Sequence, residues 1–139
     1  MYKKLQIDQA IILSAGFGGR MRPLTLTTPK PLVKLNNQPI IYYILEELKN
    51  NKIKKCFINV HYLALKIEKY IEKYKTLNKS MEIIVIKEKE ILETGGAIKN
   101  ILEKYNTKPT IVINGDSLIM PFKDFSPLSL MIKKFDIET

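Results

Sequence analysis

The sequence predicts an α/β fold, an open and mainly parallel sheet with helices on both faces. Three observations carry that expectation. Four short runs are rich in β-branched residues and apolar at consecutive positions, as strands covered on both faces are. Segments with one apolar face at helical spacing lie between them. The two kinds of segment alternate, and a strand–helix–strand order favours parallel pairing through right-handed crossovers.

The first strand is expected over Gln9–Ser14. Residues 15–38 then carry glycines, arginines and prolines without periodicity, which marks a candidate functional loop, since long irregular connections are uncommon in compact domains. Pro39 stands where a first helical residue would, and Ile40, Ile41, Ile44, Leu45 and Leu48 form the face behind it. A second strand is expected over Lys55–Val60, followed by a helix with Leu63, Ile67, Tyr70, Ile71 and Tyr74 on one side. Residues 81–87 make the third strand, and Ile98, Ile101, Leu102 and Tyr105 the next helix face. The fourth strand is Thr110–Asn114, and Leu128, Met131, Ile132 and Phe135 complete the pattern. A length of 139 residues suits one domain over 1–139.

Composition narrows the function. Hydrophobic residues make up 45%, normal for a globular chain. No apolar run approaches the roughly 18 residues a membrane span needs, so no membrane partner is expected. The first residues lack the apolar stretch of a signal peptide, which makes the cytoplasm the default location. Cys56 is the only cysteine and His61 the only histidine. An internal disulfide is impossible, and a Cys/His metal site is disfavoured. The net charge of +9 raises the question of nucleic acid. Its lysines are spread along the chain and mixed with glutamates, as in residues 66–75 and 87–93, so they read as solvated faces and nucleic acid is not an expected partner.

Ligands of open parallel sheets bind beyond the carboxyl ends of the strands. Four polar or glycine-bearing segments fall there, at residues 15–22, 59–62, 93–96 and 114–117, and should share one rim. The glycine turn Gly16-Phe17-Gly18-Gly19 is neither a P-loop nor a dinucleotide fingerprint, because no Gly-Lys-Ser/Thr follows and the third glycine is missing. Pro23, Pro29 and Pro31 prevent an immediate helix. Phosphates would meet side-chain cations and loop amides there.

Gly16-Phe17-Gly18-Gly19-Arg20-Met21-Arg22-Pro23-Leu24-Thr25, followed by Pro29-Lys30-Pro31-Leu32, resembles the opening G-x-G-x-R-[LM]-x-P-L-[TS] and P-K-P-[LM] of the sugar-1-phosphate nucleotidyltransferases, or NDP-sugar pyrophosphorylases. Asn59-Val60-His61-Tyr62-Leu63, Leu92-Glu93-Thr94-Gly95-Gly96 and Asn114-Gly115-Asp116 extend the likeness to the bacterial mannose-1-phosphate guanylyltransferase and N-acetylmuramate-1-phosphate uridylyltransferase branch. The resemblance implies a Rossmann-like, GT-A-like fold, with a nucleoside triphosphate and a sugar 1-phosphate as substrates, Mg²⁺ as cofactor and pyrophosphate as a product.

The resemblance also implies roles. Arg20 contacts the triphosphate, and Lys30 bridges the α-phosphate and the incoming sugar phosphate. Ala15, Gly16, Gly18, Gly19, Thr94 and Gly95 hold the nucleotide, largely through backbone groups, and Asp116 holds the metal. Simpler readings stand beside these. Arg20, Arg22 and Lys30 also suit solvated loop positions, Gly115-Asp116 an ordinary turn, Gly95-Gly96 a turn before a helix, and Thr94 the N-cap of that helix. His61 reads as part of a polar strand end.

The family continues with further strands that complete the sugar pocket and bring a second acidic metal ligand. Here Asp124, Asp136 and Glu138 are poor substitutes, because they flank the last helical pattern. The expectation is weak nucleotide binding and little turnover by the chain alone, with self-association or a complementing C-terminal polypeptide as partner. The alternatives are a non-catalytic nucleotide-binding module and one half of a split enzyme.

Overall fold

A computed structural model describes residues 6–105, 108–122 and 124–138. Its main sheet is built from β1 (Gln9–Ser14), β4 (Lys55–Val60), β5 (Glu82–Lys87) and β6 (Thr110–Asn114), in the order β5-β4-β1-β6. Every pairing in it is parallel. The third strand starts one residue later than expected, at Glu82, and Met81 is buried beside it.

Helices α1 (Ile40–Asn50), α2 (Ala64–Leu77) and α4 (Pro127–Glu138) bracket one face, and α3 (Glu93–Tyr105) lies on the other. Alternation along β1 explains both layers. Ala10 and Ile12 join the core with Ile41, Ile44, Leu48, Ile67 and Leu128, while Ile11 joins Phe57, Ile86 and Ile101 under α3. The chain winds outward from β1 through β4 to β5 and then jumps back to β6. Right-handed crossovers put the helix of that reversed step on the opposite face. Each fully buried leucine or isoleucine of α1 contributes roughly 1.5–3 kcal/mol.

Residues 15–38 are less irregular than the sequence suggests. Short 3₁₀ turns occupy Gly19–Met21, Leu24–Leu26 and Lys30–Leu32. A two-residue hairpin follows, with β2 (Lys34–Leu35) antiparallel to β3 (Gln38–Pro39). Asn36 and Asn37 at its tip have φ of 47° and 66°, the left-handed pair that such a turn needs. Pro39 pairs in this hairpin with extended backbone and precedes α1, so it is not the first helical residue.

Two other boundaries differ. Leu63 takes φ 50° and α2 begins after it. Helix α3 begins at Glu93, so Thr94 is not its N-cap, and Gly95-Gly96 form helical turns instead of a turn before the helix. At the other end of the chain, Ser126 caps α4 by accepting the Ser129 N–H at 3.1 Å, and its hydroxyl donates to the buried Glu47 of α1. The side chains of Asp136 and Glu138 lie outside the described residues.

Candidate active site

Register fixes the rim. Ser14 lies opposite Val60, Val60 opposite Lys87, and Leu13 opposite Asn114, so all four strands end together. The winding direction reverses between β1 and β6, and such a switch point opens a crevice at the strand ends. A cleft of about 580 Å³ occupies it. Of the residues expected to bind nucleotide, phosphate or metal, Ala15, Gly16, Gly18, Gly19, Arg20, Lys30, Thr94 and Asp116 line this cleft. Gly95 and Arg22 are exposed and stand outside its lining.

The glycine loop has one built geometry. Gly18 has φ 64°, and a Cβ there would lie 2.9 Å from Thr25 Cγ2. Thr25 is fully buried, and its hydroxyl donates to the Gly18 carbonyl at 2.6 Å. The Tyr62 hydroxyl donates to the Thr25 carbonyl at 2.8 Å, and the Lys66 ammonium to the Thr27 carbonyl. The start of α2 thus braces the turn that carries Arg20. Phe17 closes the brace with edge contacts to His61 and Tyr62, at centroid distances of 5.9 and 5.3 Å.

Across the cleft, Gly115 donates its N–H to the Leu13 carbonyl at 2.8 Å, which ties the exit of β6 to β1. Asp116 follows directly. Its Oδ2 pairs with the Lys30 ammonium, which reaches over from the 3₁₀ turn at Lys30–Leu32. Pro31 is buried beneath that turn and lines the same cleft.

Glu88 was hidden in the charge pattern. Its place in residues 87–93 suggests a solvated face, yet it is only 6% exposed and lines the cleft. Its Oε1 accepts from the Asn59 amide at 2.8 Å, and its Oε2 from the Leu92 N–H at 3.2 Å. Asn59 Oδ1 in turn accepts the Ser14 N–H at 2.8 Å. This chain of bonds links the ends of β1, β4 and β5. The available signal was position: Glu88 is the first residue past its strand, as Ala15 and Gly115 are past theirs. Asn59→Leu is expected to cost about 2 kcal/mol, because the carboxylate loses a donor and the Ser14 amide its acceptor. Adding Glu88→Leu should recover a large part of that loss in urea unfolding. A double variant less stable than Asn59→Leu would show that the network is not what matters.

For a metal, Asp116 is the carboxylate at the strand end, and no cluster of three His, Cys, Asp or Glu exists among the described residues. Glu88 and Glu93 line the same cleft without forming a cluster with Asp116, and Glu88 is already held by Asn59 and the Leu92 N–H. Asp116 beside Lys30 and Arg20 therefore fits a hydrated Mg²⁺ shared with phosphates and does not fit a protein cage. No helix among the described residues is long and apolar enough to cross a membrane.

Fold and cleft together define an α/β domain with an open cleft at the switch point of a parallel sheet. A family model described as nucleotidyl transferase matches residues 9–136. The chain is 36% identical over 110 residues to N-acetylmuramate alpha-1-phosphate uridylyltransferase of Caulobacter vibrioides, covering 78% of this chain and 46% of that protein. It is 37% identical over 118 residues to mannose-1-phosphate guanylyltransferase catalytic subunit beta of Drosophila melanogaster, covering 83% and 32%. A crystal structure of apo UDP-glucose pyrophosphorylase superposes with a TM-score of 0.82 at 22% identity, over 96% of this chain and 56% of that one. The chain belongs to the nucleotidyl transferase family. It spans about half the length, or less, of the curated relatives it matches.

Proposed function

We propose that this chain is the nucleotide-binding part of a sugar-1-phosphate nucleotidyltransferase. The observation that carries this reading is the meeting of the Gly18 turn, Arg20 and Lys30 of one loop with Asp116, 86 residues beyond Lys30, on one cleft. In the reaction, a phosphate oxygen of the sugar 1-phosphate forms a bond to the α-phosphorus of a nucleoside triphosphate. The bond from that phosphorus to the pyrophosphate oxygen breaks, and pyrophosphate leaves with the electron pair. No proton transfer is needed, so positioning and charge neutralisation are the protein's task.

Ala15, Gly16, Gly19 and Thr94 cradle the nucleoside, and Gly18 shapes the turn. Arg20 holds the outer phosphates. Lys30 neutralises the α-phosphate and the entering sugar phosphate. Asp116 holds Mg²⁺, which when bound offsets charge on the phosphates. Such substrates place the protein in the cytoplasm. Gly95 has no part in this assignment.

A second reading has its own support. Val112 on the α3 side of β6 is 41% exposed, and β6 ends the sheet. A complementing polypeptide or a second copy could pair there and supply the sugar-phosphate site. One experiment separates the readings: thermal shift with GTP, UTP, CTP and dTTP plus Mg²⁺, then pyrophosphate release with mannose 1-phosphate and N-acetylmuramate 1-phosphate. A rise in melting temperature with one triphosphate is expected, since ligand bound to the folded state alone stabilises it. Turnover by the pure chain would remove the second reading. No shift with any triphosphate would remove both.

A further inference from the structure

Lys30 and Asp116 are assigned above to different ligands, yet here they hold each other. The Lys30 ammonium sits on Asp116 Oδ2, with the two side chains 27% and 35% exposed. The backbone that carries each partner is held in place. Lys30 stands in a 3₁₀ turn between Pro29 and Pro31, and both prolines are buried. Asp116 follows Gly115, whose N–H is bonded to β1, and Pro31 packs against that glycine's open side. Two stiff segments 86 residues apart therefore present a cation and an anion to each other.

A divalent cation approaching Asp116 meets a positive charge first and finds one carboxylate oxygen already engaged. A polyphosphate changes this, because its oxygens offer the ammonium acceptors of higher charge. We propose that Lys30 bars free divalent cations from Asp116 and yields the carboxylate only when a polyphosphate takes up the ammonium. Metal and polyphosphate then enter as one chelate, each raising the affinity for the other by the same factor. This inference rests on the nucleotidyl-transfer reading and adds an interlock to it. An empty cleft carries no stray metal, and the positive charge of Lys30 moves to the phosphates in the step that loads the site.

The test uses the full chain with Mn²⁺ alone, followed by electron paramagnetic resonance. Lys30→Met should bind Mn²⁺ about tenfold more tightly than the unmodified chain, the size expected when a like charge and a competing ion pair are removed together. Lys30→Gln repeats the test with a polar side chain. Lys30→Arg should keep the block. Adding Asp116→Asn to Lys30→Met should erase the gain. Equal Mn²⁺ affinities for the unmodified chain and Lys30→Met, or a gain that survives Asp116→Asn, would overturn the interlock. Calorimetry with tripolyphosphate and Mg²⁺ separates this failure from a wider one. Tripolyphosphate that binds while Mn²⁺ affinities stay equal removes the interlock alone. Tripolyphosphate that does not bind at all removes the phosphate-binding reading, and the proposal with it.

Discussion

Gly115→Ala is expected to lower the melting temperature by roughly 10 °C, about 3 kcal/mol for a chain of this size. A Cβ at that position would lie 2.3 Å from Ser14 Oγ, 2.8 Å from the Leu13 carbonyl oxygen and 3.3 Å from Pro31 Cγ. The serine hydroxyl can rotate away. The carbonyl cannot, because it belongs to the central strand β1 and already accepts the Gly115 N–H at 2.8 Å. The methyl group therefore pushes the exit of β6 off β1 and carries Asp116 with it. Gly16→Ala is the control. A Cβ there meets nothing within 4 Å, and the change should stay within about 0.5 kcal/mol. Equal losses at the two glycines in a thermal scan would show that the contact with β1 does not govern this part of the cleft, since reduced chain entropy in the unfolded state would stabilise both variants.

That contrast illustrates what a sequence can show. The strands and helix faces were legible because burial leaves local periodicity: Ile41, Ile44, Leu45 and Leu48 mark α1 without help from the rest of the chain. The shared rim was legible too, since parallel pairing forces every strand to end at the same side. Other features depend on partners distant in sequence. Glu88 carries no local sign of burial, because its amide donor, Asn59, comes from another strand. The hairpin at Asn36-Asn37 is held by the Ile40 N–H on the Val33 carbonyl at 2.9 Å and by the Tyr43 hydroxyl on the Leu35 carbonyl at 2.7 Å. Neither bond belongs to a repeating pattern. The start of α3 was misplaced for a different reason. Gly95-Gly96 normally punctuate a chain, but Glu93 takes the left-handed φ of 58° instead, so the helix starts two residues before the first glycine.

Lys30→Ala is expected to have the largest functional effect. If Lys30 neutralises the α-phosphate as charge shifts towards pyrophosphate, its loss should slow transfer by about 100-fold or more in any form of the protein that turns over, the magnitude typical of losing one preorganised donor at the reacting group. Binding gives a readout that does not depend on turnover. Lys30 lies on the Asp116 side of the cleft, paired with that carboxylate two residues past β6. The proposed nucleoside contacts Ala15, Gly16 and Thr94 belong to the β1 exit and α3. Triphosphate affinity should therefore fall about tenfold, as expected when one charge-assisted contact is lost, while affinity for the matching nucleoside changes little. The ratio of the two affinities isolates the ammonium from the shape of the loop. Lys30 stands in the same 3₁₀ turn as Pro31, so a parallel fall in both affinities would mean that the substitution had deformed the turn, and Lys30 would lose its assigned role in transfer.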